Sequence, residues 1–190
     1  MDQREKLYKK ALALFNSRGY DNTSVSQIAK ALNLSKASLY HYMSSKQHLL
    51  FLIYENYLER HFIPIFESAE KISDPNKRLT FVIQSLAKLA ATEPSVRVLV
   101  HESRRLDNKY HKEIKIVWGR AFQVIRDAIT ELQSSKKAKK LNSAFAAFAV
   151  MGMTSFIFYW YDYKRKASAE ELSKTLLEIF LKGLLTGKDL

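Results

Sequence analysis

Apolar positions recur at steps of three and four residues almost from the start of the chain. Leu7, Ala11, Leu14 and Phe15 share one helical face, while Arg4, Lys6, Lys9 and Lys10 fall largely on others, which predicts an amphipathic first helix. Gly19 stands where a residue of positive φ closes a helix. Ser24 then precedes Val25, Ile28, Ala29 and Leu32, and Gln27, three residues on, completes a capping box. This second helix is short and stops near Asn33, a residue that tolerates the left-handed conformation of a sharp turn. Ser35 caps a third helix, in which Leu39 and Met43 lie four apart and point inward together. Two short helices joined by a tight turn make a helix-turn-helix.

Ser45 and Lys46 open a fourth helix with Leu49, Leu50, Ile53, Tyr57 and Leu58 as its stripe, ended or bent at Pro64. The remainder is a series of amphipathic helices. Leu79, Val82, Ile83, Leu86 and Leu89 line one that begins at Asp74-Pro75, and Glu93-Pro94 begins another segment. Ile114, Trp118, Ala121, Ile125, Ala128 and Leu132 line a long helix that runs to Ser134-Ser135. Lys136, Lys137, Lys139 and Lys140 form a basic connector, and residues 144–161 follow without a charge. Lys164, Arg165 and Lys166 mark a charged turn, and Leu172, Leu176, Ile179, Phe180 and Leu184 line a last helix closed near Gly187. No alternating strand pattern and no internal repeat interrupts the series. The fold class predicted is all-α, with a helix-turn-helix domain at 1–48 and a second helical domain at 49–190.

Composition adds three points. Five glycines and three prolines in 190 residues suit helices, and 47% apolar residues suffice for a packed core. The absence of cysteine excludes disulfides and thiolate metal sites and is compatible with a reducing cytoplasm, where the protein is expected. The N-terminus carries no apolar run after its charges, so no signal peptide is expected. The uncharged 144–161 stretch has barely the length of a spanning helix, but a helix apolar on every side also fits a protein centre or a subunit interface, and no membrane role is assigned to it.

Charge points to a polyanion. The net charge is +12, and residues 1–50, with eight Lys or Arg against three acids, are denser in positive charge than the rest. With Leu39 and Met43 inward, Lys36, Ser38, Tyr40 and His41 lie on or beside the opposite face of the third helix. Such a face suits the major groove of DNA. Lysine reaches phosphate or a guanine edge, serine bonds to either, and the two rings can stack on a thymine methyl or a sugar. Lys46 opens the next helix, where it would point at the DNA backbone, and Thr23 or Ser24 could do the same from the start of the second helix. Enzymatic chemistry finds no support. His101-Glu102 has no second histidine four residues after the first, the five histidines show no pair at metal-ligand spacing, and there is no glycine-rich phosphate loop or nucleophile elbow. No catalytic residue, metal or cofactor is assigned.

The stretch TSVSQIAKALNLSKASLYHYMSSKQHLL, Thr23 to Leu50, closely resembles the DNA-binding signature of TetR-family transcriptional regulators. The likeness covers the first helix, Gly19-Tyr20, Ile28-Ala29, Ser35-Lys36, Leu39-Tyr40 and Lys46. It departs at Asn33 and Ala37, where glycine is frequent, at Met43 for phenylalanine, and at Ser44 for a basic residue. The resemblance implies a homodimer joined through its last two helices and a repressor that binds double-stranded DNA at a palindromic operator. It places Thr23, Ser24, Ser35, Lys36, Ala37, Ser38, Tyr40, His41 and Lys46 at the DNA. VLVHESRRLDNKYHKEI and the segment from Phe148 to Leu185 are similar to a TetR subgroup that responds to acyl-CoA thioesters.

A thioester needs an apolar tunnel for its tail and cations for its phosphates. Phe81, Trp118, Phe122, Phe148, Met151 and Phe158 are the tunnel candidates, and Arg104 and Arg105 the phosphate candidates. Two other readings compete: a TetR-like regulator of an efflux system responding to hydrophobic drugs, and a peripheral membrane or scaffold protein that uses the basic surface.

Overall fold

The computed structural model describes residues 2–93, 95–160 and 168–185, with side chains at all of these except 95–98 and 160. The charged turn at Lys164–Lys166 and the stop at Gly187 lie outside the described residues. Helices α1 (Gln3–Arg18), α2 (Val25–Ala31), α3 (Lys36–Tyr40), α4 (Lys46–Tyr57) and α5 (Ile63–Glu70) are followed by α6 (Pro75–Thr92), α7 (Ser95–Glu102), α8 (Asn108–Ser134), α9 (Ser143–Trp160) and α10 (Ala169–Leu184). The chain is all-α among the described residues, apart from one isolated antiparallel bridge between Ala138 and Leu185. It forms two compact units.

The first unit joins Met1–Leu58 to Ser95–Ile114. Helix α1 buries Leu7, Ala11 and Phe15, and Gly19 closes it at φ +83. Tyr20 then turns inward against Phe15, with ring centroids 5.1 Å apart. Ser24 and Gln27 form the expected capping box, and Asn33 takes φ +54 in the turn before α3. The boundary expected near residue 48 falls inside α4, all of which stays in this unit. The reason is visible in its burial. Leu49, Leu50, Phe51, Ile53 and Tyr54 are all buried, more than one stripe can supply, because α1 and α7 both pack against α4.

Between α4 and α5, Leu58–Phe62 forms a π turn, and Pro64 sits in the first turn of α5. Proline lacks an N–H and crowds the carbonyl four residues back, so a regular ladder cannot run through it. The wider turn absorbs that mismatch.

The second unit runs from Glu59 through α6 and from Lys115 through α10. Helix α6 is its centre and packs against α5, α9 and α10. Asp74 caps α6 by accepting a hydrogen bond from the Lys77 amide at 2.8 Å. Arg78 donates from Nε to the Ile72 carbonyl at 2.9 Å and pairs with Glu131 on α8 at 2.7 Å. The basic connector is tied down: the Lys139 amide donates to the Leu184 carbonyl at 2.8 Å, and its ammonium reaches the Gly183 carbonyl at 3.0 Å. Helix α9, expected to be apolar all round, buries one face through Ala147, Val150, Thr154 and Phe158. The Thr154 hydroxyl donates to the Val150 carbonyl at 2.9 Å, which makes its burial inexpensive. Phe145, Phe148 and Phe156 stay outside on the other face. No helix among the described residues is long and apolar enough to cross a membrane.

Candidate nucleic-acid interface

Helix α3 is five residues long, shorter than its pattern implied. It ends at Tyr40, yet Met43 beyond it is still buried with Leu39, at 2% and 0% exposure. These two anchors fix which side of the segment faces out. Lys36, Ala37 and His41 are exposed, and Tyr40 is 51% exposed, far more than a core ring would be. Ser35 Oγ accepts from the Ser38 amide at 3.0 Å and lies 2.8 Å from Ser38 Oγ, so the cap uses both hydroxyls. Ser24 Oγ is likewise held in its capping box by the Gln27 amide at 3.2 Å. Both capping serines remain on the surface, so each can still meet a phosphate.

Two expected contacts take other positions. Thr23 is fully buried, and its Oγ1 donates to the Gly19 carbonyl at 2.8 Å and the Leu14 carbonyl at 3.3 Å. Its hydroxyl pins the α1–α2 turn from inside and has no path to DNA. Lys46 was expected to point at the DNA backbone. Its ammonium turns inward instead and donates to the carbonyls of Tyr20 at 2.9 Å, Thr23 at 3.2 Å and Asp21 at 3.5 Å. It also sits 4.2 Å from the centre of the Tyr20 ring. Burial pushes the Tyr20 phenol up to about 12, with the neighbouring Asp21 adding to the rise.

The residues around this turn carry a second set of bonds. His48 Nδ1 accepts from the Ser44 amide at 3.0 Å, which ties the start of α4 to the end of the α3 segment. Its ring stacks on Tyr110, and Tyr110 stacks on Phe51 at 4.4 Å. Neither His48 nor Asp21 stood out in the sequence, because their partners lie on segments remote in the chain or belong to the backbone.

Residues 7–53 match the model for bacterial regulatory proteins of the tetR family, and residues 73–184 match the tetracyclin repressor-like C-terminal domain. The chain belongs to the tetR family. Among curated relatives it is 35% identical over 91 residues to the uncharacterized HTH-type transcriptional regulator YuxN of Bacillus subtilis, covering 45% of this chain and 31% of that protein. The chain spans 24–45% of the length of the first curated relatives it matches. Its fold is shared with AibR, solved in complex with isovaleryl coenzyme A and operator DNA, at TM-score 0.84, 21% identity and coverage of 94% and 97% of the two chains. It is shared also with FadR of Bacillus subtilis in complex with stearoyl-CoA, at TM-score 0.76, 19% identity and coverage of 94% and 98%.

In this tetR-family chain the effector candidates are divided between the two units by membership. Arg104 and Arg105 belong to the first unit, and the six apolar candidates belong to the second. Arg104 is exposed on the 3-10 turn Ser103–Arg105. Arg105 holds Asp21 through two nitrogens, at 3.0 and 2.9 Å, and pairs with Glu102, which raises its pKa above the ordinary value. It is therefore already engaged by two carboxylates. In the second unit Trp118 packs on Phe62 at 4.6 Å, Phe81 and Met151 are half-buried, and Phe158 is buried. Phe122 meets Phe148 at 4.7 Å, but Phe148 is 59% exposed, which places it on the outer face of α9 rather than inside a tunnel. A groove of about 320 Å³ in this unit is lined by Glu70, Arg78, Arg120, Gln123, Val124, Asp127 and Glu131 and by none of the candidates. Its arginines are taken: Arg78 by Glu131, and Arg120 by Glu70 at 2.9 and 2.6 Å, a bond that lowers the Glu70 pKa.

Proposed function

We propose that this chain is a ligand-responsive transcriptional repressor that binds a palindromic operator as a homodimer. The observation that carries the reading is the outward face of α3, where Lys36, Ala37, Tyr40 and His41 are exposed while Leu39 and Met43 are buried beneath them. The five helical residues capped at Ser35, with His41 just beyond them, present one amine, one phenol and one imidazole, a set suited to phosphates and base edges in the major groove. DNA recognition is assigned to residues 1–48, and effector binding and dimerisation to residues 49–190.

The partner for dimerisation is a second copy. On α9 the exposed Phe145, Phe148, Gly152 and Phe156 follow one another at helical steps, and Ile179 is exposed on α10. Large apolar side chains at this spacing form a face that water penalises, and a two-fold axis would bury it against itself. A side chain added at Gly152 or Gly183 would meet nothing within 4 Å, so both leave room for a close helix approach. The effector proposed is an acyl-CoA thioester, supported by the fold shared with AibR and FadR, whose structures hold such esters. It would act by favouring a dimer in which the two α3 helices no longer match half-sites about one helical turn apart.

The test begins with duplexes selected by the protein from a random-sequence library. Selection of a palindromic duplex, and a Tyr40→Ala variant that binds it at least tenfold more weakly with an unchanged dimer mass, are the expected results. A library that yields no preferred duplex would overturn the reading. Isovaleryl- and stearoyl-CoA are then added to the complex. Release by either supports the thioester proposal, and an intact complex with both rejects it while leaving DNA recognition in place.

A further inference from the structure

The feature that DNA recognition leaves unexplained is the set of charged side chains engaged around the α1–α2 turn. Lys46 is a cation whose three donors face main-chain carbonyls of Tyr20, Thr23 and Asp21, at 2.9, 3.2 and 3.5 Å. Tyr20 lies beneath it, with the ammonium 4.2 Å from the ring centre. An ammonium offers three hydrogens and no more. A lysine bonded in this way has none left for a phosphate unless it abandons the turn. From the other side, Arg105 grips Asp21 with two nitrogens, and its own carbonyl accepts from Gln47 Nε2 on α4. Thr23 pins the same turn from within. The turn is thus held from α4, from the segment after α7 and from its own threonine. It leads directly into Ser24, the cap of α2, and α2 packs on α3.

We propose that Lys46 is a positioning residue for DNA recognition rather than a phosphate contact: its ammonium fixes the Tyr20–Thr23 turn to the start of α4 and so sets the seat of α2 and α3. Arg105, through Asp21, is the second grip on that turn. The inference rests on the proposed DNA-binding function and deepens it. Its physical signature differs from that of a phosphate contact. A lysine that neutralises a phosphate releases a counterion, and its loss lowers the salt slope of binding by about one for any duplex. A lysine that only orders the recognition segment leaves that slope alone and weakens the preferred sequence selectively, because only base contacts need the exact orientation of α3.

The experiment compares the parent with Lys46→Met, Lys46→Arg and Thr23→Val on two duplexes, the selected one and one of random sequence, by fluorescence anisotropy from low to moderate salt. Lys46→Met keeps the apolar stem and removes the charge. It is expected to bind the selected duplex about tenfold more weakly, the scale of losing hydrogen bonds made by a charged group. Its affinity for random DNA and both salt slopes should stay within error of the parent. Lys46→Arg, which can still donate to the carbonyls, should recover most of the specific affinity. Thr23→Val loosens the same turn without changing charge and should copy the Lys46→Met pattern, so the proposal stays testable if Lys46→Met does not fold. A slope reduced by about one with equal losses on both duplexes would overturn it, and so would a Thr23→Val protein with parental sequence preference. If the parent itself prefers no duplex, the functional reading fails first and this inference falls with it.

Discussion

At the scale of single residues, burial decides what each polar group can do. Tyr20 shows this most directly. Its phenol is removed from water and set beside Asp21, so the charged form is penalised and the pKa rises to about 12. The unfolded chain would release that proton near pH 10. Folded protein that holds the proton longer loses stability as pH rises from about 10 to about 12, while below about 10 the contribution is constant. Ultraviolet titration of the ten tyrosines should therefore show a late-ionising component, and Tyr20→Phe should reduce it by one residue. A titration in which all the tyrosines ionise together would refute the assignment. The same logic separates Tyr40 from Tyr20. Tyr40 is half in solvent, has no burial to explain it, and is free to be read by a partner.

At the scale of elements, caps and turns set where helices stop and start. Asn33 occupies φ +54, a conformation that costs an ordinary L-residue about 1 kcal/mol and glycine almost nothing. Asn33→Gly should leave urea stability unchanged or slightly raised, whereas Asn33→Ala should lower it by about 1 kcal/mol. Asp74 illustrates a charged cap. Its bond from the Lys77 amide holds its carboxyl below the usual range, so its contribution is present at neutral pH and is lost as pH falls through that range. Asp74→Ala should cost about 1 kcal/mol at pH 7. Asp74→Asn should keep most of the cap while flattening the acid limb of the stability curve, as followed by urea unfolding between pH 3 and pH 7. An acid limb identical to the parent's would show that the cap bond does not form in solution. The periodicity of the chain was legible at this scale because helices of this kind obey it: Leu7, Ala11 and Phe15, or Leu79, Val82, Ile83 and Leu86, are buried as their spacing predicted. The length of α3 was not legible, because Met43 is buried beyond the helix end by packing rather than by helical register.

At the scale of the whole molecule, the outer face of α9 is the surface that the proposed dimer would bury. Phe145 is 71% exposed, and removing a ring of this size from an interface costs about 2 kcal/mol, or roughly thirtyfold in dissociation constant. Phe145→Arg should cost more, since it leaves a charge in the interface. Sedimentation equilibrium should show the variant as monomer at concentrations where the parent is dimer, and a parent that is itself monomeric would remove the proposed interface. The pattern of the chain by itself determined the all-α class, the helix-turn-helix with its caps at Ser24 and Ser35, and the outward placement of Tyr40 and His41. These follow from neighbours a few residues apart, which helical geometry brings together without help. Only the tertiary structure decided that Thr23 and Lys46 face inward, that Arg105 holds Asp21, and that Phe148 lies outside while Phe158 lies within. Those outcomes depend on which segments pack against each other, and a side chain whose partner is a main-chain carbonyl or a residue 84 positions away leaves no periodic trace in the chain that encodes it.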